Sequence, residues 1–199
     1  LDSLKTSISE ANVVFITLGT AHVYEHLKLG IVVSNCHKVP QREFQKKSLS
    51  QETITKDLQH IIDKIRTVNP HARVVLTLSP VRYLRDGFQE NQWSKSLQYI
   101  SIKKCVDHNT NTYYFPSYEY VLDDLRDYRF YKEDLVHPNQ LALHYIWSKI
   151  IESFFSGETQ DILKQVEKIN KRLQHKFFHP DSSESIHFKE KTKQLVDGL

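Results

Sequence analysis

The sequence predicts an α/β fold built on a parallel sheet with helices on both faces, and three observations predict it. Val13-Val14-Phe15-Ile16-Thr17-Leu18 is a continuous β-branched and aromatic run that stops at Gly19. Val74-Val75-Leu76-Thr77-Leu78 repeats the pattern and stops at Ser79-Pro80. Such unalternating runs read as strands buried on both faces. Helix-period segments lie between them, and strand alternating with helix at this rhythm gives a layered parallel sheet with right-handed crossovers.

Taken in order, residues 13–18 form the first strand, and Gly30-Ile31-Val32-Val33 is a short extended piece. Ser50 is placed to cap a helix over 51–68, whose Ile54, Leu58, Ile61, Ile62, Ile65 and Val68 fall on one stripe. Asn69-Pro70 stops it before the second strand, and Asp86-Gly87 marks a turn beyond that strand. A helix over 92–107 turns Trp93, Leu97, Ile100 and Cys105 inward. Thr112-Tyr113-Tyr114-Phe115 makes a third strand, closed by Pro116-Ser117, with a short helix over 118–125. A final helix of the sheet domain runs over 138–155.

Composition excludes several classes. Hydrophobic residues are 39% and charged residues 26% of 199, ordinary for a globular chain. A net charge of +3 argues against a dedicated nucleic-acid binder. No apolar run reaches the ~20 residues of a membrane span, and no signal-peptide pattern opens the chain, so the default compartment expected is the cytoplasm. Cys36 and Cys105 are too few for a disulfide framework and read as buried thiols, one pair, or a nucleophile. The absence of Met predicts that the chain begins inside a longer or processed protein. Three strands are few for such a sheet, so further N-terminal strands are expected. Composition shifts after Gly157: the domain is expected over 1–156, with a helical extension over 157–199. In that extension Ile162, Val166, Ile169, Leu173 and Phe177 share one face and lysines the other. It is a basic partner-binding helix or an apolar stripe docked on the domain.

The loops leaving the carboxyl ends of parallel strands converge on one edge, where ligands bind. One holds Gly19-Thr20-Ala21, another follows Ser79, and a third carries Asp134-Leu135-Val136-His137-Pro138. Imidazole titrates nearest neutral pH, so His137 is the candidate proton-transfer group. Asp134 would accept from its far ring nitrogen and fix its tautomer. Gly19 could offer an unobstructed backbone N–H to an oxyanion, or be a plain turn. Asn35 could supply a second donor, or cap a loop. No Gly-x-Ser-x-Gly elbow exists, and Ser34, Ser79 and Ser117 lack the glycine neighbours of a sharp nucleophile turn. His22 and His26 would share a face if helical, but no third ligand follows at zinc spacing, and no metal is predicted.

Several stretches resemble the bacterial GSCFA family: Ile16-Thr17-Leu18-Gly19-Thr20-Ala21, Asn35-Cys36-His37-Lys38, Ser79-Pro80-Val81-Arg82 and Tyr114-Phe115-Pro116-Ser117-Tyr118-Glu119. Leu125-Arg126-Asp127-Tyr128-Arg129-Phe130-Tyr131 and the Asp134–His137 loop resemble it too, as does the tail over 174–180. That family is similar to SGNH hydrolases, and the resemblance implies a flavodoxin-like three-layer α/β/α sandwich with a serine nucleophile. It implies that Asp134 and His137 are the acid and base of a triad, that Gly19 donates to the oxyanion hole, and that Asn35 is the asparagine donor. Asn35 sits further from the glycine than the superfamily pattern has it, and His22 replaces an expected aromatic residue. The Gly-Ser-Cys-Phe-Ala motif that carries the nucleophile is not in this sequence.

The expected function is therefore an SGNH-like serine esterase or acyl-transferring enzyme on an acylated carbohydrate or similar ester, needing no cofactor, with its serine upstream of this chain. The rival is a non-catalytic carbohydrate- or ligand-binding module using Tyr114, Tyr118, Tyr128 and Tyr131.

Overall fold

Two three-stranded sheets, one parallel and one antiparallel, organise the first of two units in the computed structural model, which describes residues 2–33, 36, 38–179 and 181–198. The units span Leu1–Leu143 and His144–Leu199. The fold is α/β, with a parallel sheet flanked by helices as a three-layer sandwich requires. In the parallel sheet, β1 (Val13–Leu18), β5 (Arg73–Leu78) and β6 (Thr112–Phe115) lie in the order β1-β5-β6. Val14 pairs with Val74 and Leu18 with Leu78, and Thr77 pairs with Phe115. The first two strands therefore end level, and the Ser79 N–H donates to the Leu18 carbonyl at 2.9 Å.

Central β5 is buried on both faces from Val74 to Leu78, as its unbroken apolar run predicts. One face packs on α2 (Gln51–Val68) through Ile54, Leu58, Ile62 and Ile65, with Ile102 and Cys105 of α3 (Phe88–His108). On the other face Phe115 meets Phe15 edge-on at 6.5 Å and Tyr120 at 5.7 Å. The expectation that β1 is buried on both faces needs correction. It is an outer strand of the described sheet, and Phe15 and Thr17 face outward on its alternating pattern.

Helix α2 starts where its sequence says, the Ser50 hydroxyl accepting from the Thr53 N–H at 3.2 Å. Its stop residue Asn69 does a second job. The Asn69 amide donates to the Ile8, Ser9 and Ala11 carbonyls, tying the end of α1 (Asp2–Glu10) to the start of β5. Ile61, placed on the inward stripe by spacing, is 43% exposed at its edge.

The antiparallel sheet, order β3-β2-β4, comprises β2 (His22–His26), β3 (Val32–Val33) and β4 (Phe44–Ser48). The segment carrying His22 and His26 is thus a strand, not a helix. Pairing with β4 over its full length decides this.

Helix α3 packs Leu97 and Cys105 on the core as its spacing predicts, but corrects the inward placing of Trp93 and Ile100. Trp93 and Ile100 are 54% and 50% exposed, while Asn91, Ser94, Lys95, Gln98 and Ser101 are buried with Ile102 and Cys105. The buried residues still follow helical spacing, but the stripe is largely polar because it faces loops as well as core. Beyond β6, α4 (Ser117–Glu119) runs into a π-helical turn, Tyr120–Asp124. The last helix of the family-like region, α5 (Gln140–Phe154), begins two residues after Pro138.

The second unit is helical. Trp147 of α5 meets Phe155 at 6.0 Å, and the Gln160 amide at the start of α6 (Gly157–Leu173) donates to the Phe155 carbonyl at 3.0 Å. Arg172 joins α6 to α7 (Ser183–Asp197): its guanidinium lies 3.9 Å from the centre of the Phe188 ring and donates to the Thr192 hydroxyl at 2.9 Å. No helix among the described residues is long and apolar enough to cross a membrane.

Candidate active site

Asp134 and His137 sit on a hydrogen-bonded loop that the chain winds tightly between Phe130 and α5. The Lys132 N–H donates to the His137 carbonyl at 2.8 Å, and the Asn139 N–H to the Phe130 carbonyl at 2.9 Å. Tyr131 and Pro138 bridge across the loop, so Pro138 closes the loop and does not open the helix. Asn139 supplies the cap in its place, its side-chain oxygen accepting from the Leu141 and Ala142 N–H groups at 3.0 and 3.2 Å. Its amide donates back to the Arg129 carbonyl at 2.6 Å, locking the loop from the other side.

Inside that frame the carboxylate is fully engaged. Asp134 Oδ1 accepts from the Val136 and His137 N–H groups, both at 2.9 Å, and Oδ2 accepts from His137 Nδ1 at 2.7 Å. Leu135 holds a left-handed conformation, φ +56°, which curls the backbone donors round one oxygen. A carboxylate can only accept, so the imidazole must carry its proton on Nδ1 when neutral, leaving the Nε2 lone pair free. Among the described residues, no hydrogen bond occupies Nε2. The buried Val136 anchors the loop, while Asp134 and His137 remain open to solvent.

The three donations, the backbone ones first, hold the Asp134 carboxyl down to about 2 from its ordinary 3.8. Because the folded value is the lower one, this loop gains its stabilisation above about pH 4 and loses it as pH falls towards about 2. A carboxyl titration followed by NMR is expected to show the Asp134 midpoint near the lower figure. A midpoint at the ordinary value would mean that these bonds do not persist in solution.

This loop forms one wall of a cleft of about 580 Å³. Thr20, after β1, and Val81 to Asp86, after β5, form other parts of it, with His22, Tyr24 and Lys46 from the antiparallel sheet. The ends of the first two strands and the Asp134–His137 loop therefore meet at one place. In the same cleft, Asp86 binds Lys46 and lies 3.4 Å from His22 Nδ1. Thr20 Oγ1 is 3.2 Å from the same ring nitrogen. Among the described residues no group of three or more His, Cys, Asp or Glu side chains could hold a metal ion.

The polar stripe of α3 is what fixes these loops. Lys95 Nζ donates to the Gly19 carbonyl at 2.5 Å and lies 5.5 Å from the Tyr83 ring centre. Ser94 Oγ accepts from the Ala21 N–H at 2.7 Å, and Asn91 Oδ1 accepts from the Tyr83 N–H at 2.9 Å. Three successive inward residues thus clamp the loops after β1 and β5. Burial pushes the Lys95 ammonium down to about 8. Gly87 allows α3 to start here, capping it at φ +82°. Sequence reading missed this clamp because Trp93 and Ile100 suggest the opposite face. The signal present was a set of small or polar residues at helical spacing, Asn91, Ser94, Lys95, Gln98 and Ser101.

Gly19 itself stands beside the cleft, not on its wall: a Cβ there would meet the Tyr83 hydroxyl at 2.7 Å, so a larger residue would have to displace the Tyr83 side chain. Asn35 lies outside the described residues, as do Ser34 and His37. Ser117, the first residue of α4, has a satisfied hydroxyl that donates to the Leu78 carbonyl at 2.9 Å, and Ser79 Oγ accepts from the Val81 N–H. Cys105 is buried and free, and its thiol is pushed up by burial. Of the four tyrosines, Tyr114 donates to Glu119 and Tyr118 to Gln92, while Tyr128 and Tyr131 line a separate recess.

A model of the GSCFA family matches residues 1–150. The chain belongs to the GSCFA family. Gly19, Lys95, Asp134 and His137 all fall within the matched residues, whereas the tail over 174–180 lies beyond them. No curated protein matches the chain.

Proposed function

We propose that this GSCFA chain supplies the base, its orienting acid and part of the oxyanion site of an SGNH-like serine hydrolase. The observation that carries the reading is the 2.7 Å bond from His137 Nδ1 to Asp134 Oδ2, in a cleft where Nε2 is unengaged. The substrate is an acylated carbohydrate or a similar ester, and the acceptor is water or a second alcohol. On the family resemblance the nucleophile is the serine of the Gly-Ser-Cys-Phe-Ala motif, which these 199 residues do not contain.

His137 Nε2 takes the serine proton as the serine oxygen attacks the ester carbonyl carbon, whose π electrons move onto oxygen. When that intermediate collapses, the leaving alkoxide takes the proton from Nε2 and the acyl group stays on serine. Water or an alcohol then repeats the sequence with His137 again as base. Asp134 stabilises each transient imidazolium, and its low proton affinity keeps it ionised throughout the working pH range. Gly19, beside the cleft in a loop held by Lys95, is assigned as an oxyanion donor by the family resemblance, a contribution worth about 3–4 kcal/mol per donor. Asn35 is the second donor on the strength of the family resemblance. No metal or organic cofactor is needed for these steps.

A serine-directed fluorophosphonate separates this reading from a binding module. The intact protein is expected to be labelled stoichiometrically on the motif serine, and the 199-residue chain to stay unlabelled. An intact protein that does not react would sink the hydrolase reading.

A further inference from the structure

Charge in the cleft does not balance, and the imbalance has an address. Its carboxylates are Asp86 and Asp134, and both are committed: Asp86 to Lys46 and the neighbouring His22, Asp134 to His137 and two backbone donors. The remaining charged groups of the lining are Arg82 and Arg85. Among the described residues neither forms an ion pair, and Arg82 makes no hydrogen bond through its guanidinium.

Arg85 is exposed, but Arg82 is half-buried and held. Its guanidinium carbon lies 5.9 Å from the centre of the Tyr131 ring, which restricts the fork in advance. Arg82 also lines a recess of about 170 Å³ with Val121, Leu122, Tyr128 and Tyr131, and so forms the wall common to the recess and the cleft. The other charges of the recess are spent: Arg126 pairs with Asp123 at 3.0 Å, and Asp127 with Arg129 at 3.6 Å. An uncompensated guanidinium at the junction of two cavities, one of which holds the candidate base, suits a planar or tetrahedral oxyanion gripped by two donors.

We propose that Arg82 binds an anionic group, carboxylate or phosphate, carried by the ester substrate. This rests on the hydrolase reading above for the word substrate, though not for the anion site. The anion meets Arg82 at the junction, and the part of the substrate beyond it occupies the Tyr128–Tyr131 recess.

Two measurements test it. In the intact protein, kcat/KM for 4-nitrophenyl hemisuccinate is expected to exceed that for the neutral 4-nitrophenyl butyrate by about tenfold or more, and Arg82→Gln to bring the ratio towards one. Equal values in the wild type, or a ratio unchanged in Arg82→Gln, overturn the proposal. Independently of turnover, inorganic phosphate and succinate are titrated onto the 199-residue chain by NMR, following Arg82 Nε and the His137 ring. Joint, saturating shifts at millimolar anion support the site even if Arg82→Gln does not fold or the chain proves not to hydrolyse esters. No shift with either anion overturns it. The tighter of the two distinguishes a phosphate-bearing from a carboxylate-bearing substrate.

Discussion

Replacing His137 with alanine in the intact protein is expected to lower turnover of a short acyl ester by about two orders of magnitude or more, while the fold survives. The magnitude is that of a positioned general base. Survival of the fold follows from exposure, since the imidazole is half open to solvent and the loop is held by backbone bonds. Asp134 loses one of its three donors in this variant but keeps the Val136 and His137 N–H groups. Circular dichroism and thermal melting should therefore be close to wild type while kcat collapses. Full activity in a folded His137→Ala protein would remove this residue from the chemistry.

The second large effect is on stability. Lys95 is 2% exposed, with one carbonyl and one aromatic face as its recorded partners. Desolvation lowers its proton affinity from 10.5 to about 8. Below about pH 8 both folded and unfolded chains hold the proton, and the cost of burying the charge is constant. Between about 8 and 10.5 the unfolded chain binds more protons, so unfolding free energy rises with pH on this account. The full difference corresponds to ~3 kcal/mol. Lys95→Met fills similar space and cannot titrate, so the wild type should gain up to about that amount over the variant between pH 7 and 10.5. Tyr114, Tyr99 and Cys105 push the other way at high pH, but they are common to both proteins and cancel. Urea unfolding at several pH values reads the difference, and parallel curves for the two proteins would show that Lys95 is not buried as a charge.

These two residues divide the site differently. His137 was visible in the sequence because histidine, carboxylate and loop lie within four residues, and a local turn brings them together with little help from elsewhere. Lys95 was not visible because nothing within α3 announces that its inward face meets loops. Its neighbour Trp93 is the more hydrophobic residue, and a hydrophobic-stripe argument selects it. The structure selects Lys95 and Ser94, since the Gly19 carbonyl and the Ala21 N–H would otherwise be left without partners in a poorly solvated place.

The same division runs through the fold. By itself the sequence determined the strands over 13–18, 74–78 and 112–115, the helix over 51–68 with its Ser50 cap, and the pairing of Asp134 with His137. Each is decided by interactions within a few residues: β-branching, side-chain periodicity, a capping hydroxyl, a carboxylate reaching its own backbone. Only the tertiary structure decided that β1 presents Phe15 outward and that His22–His26 is a strand. It also decided that α3 turns a polar stripe inward and that Arg82 lines two cavities without an ion pair among the described residues. Those outcomes depend on which distant segment lies alongside, namely β5 for β1, β4 for β2 and the strand-end loops for α3. The Asp134–His137 pair belongs to the first kind, and the cleft that it lines belongs to the second.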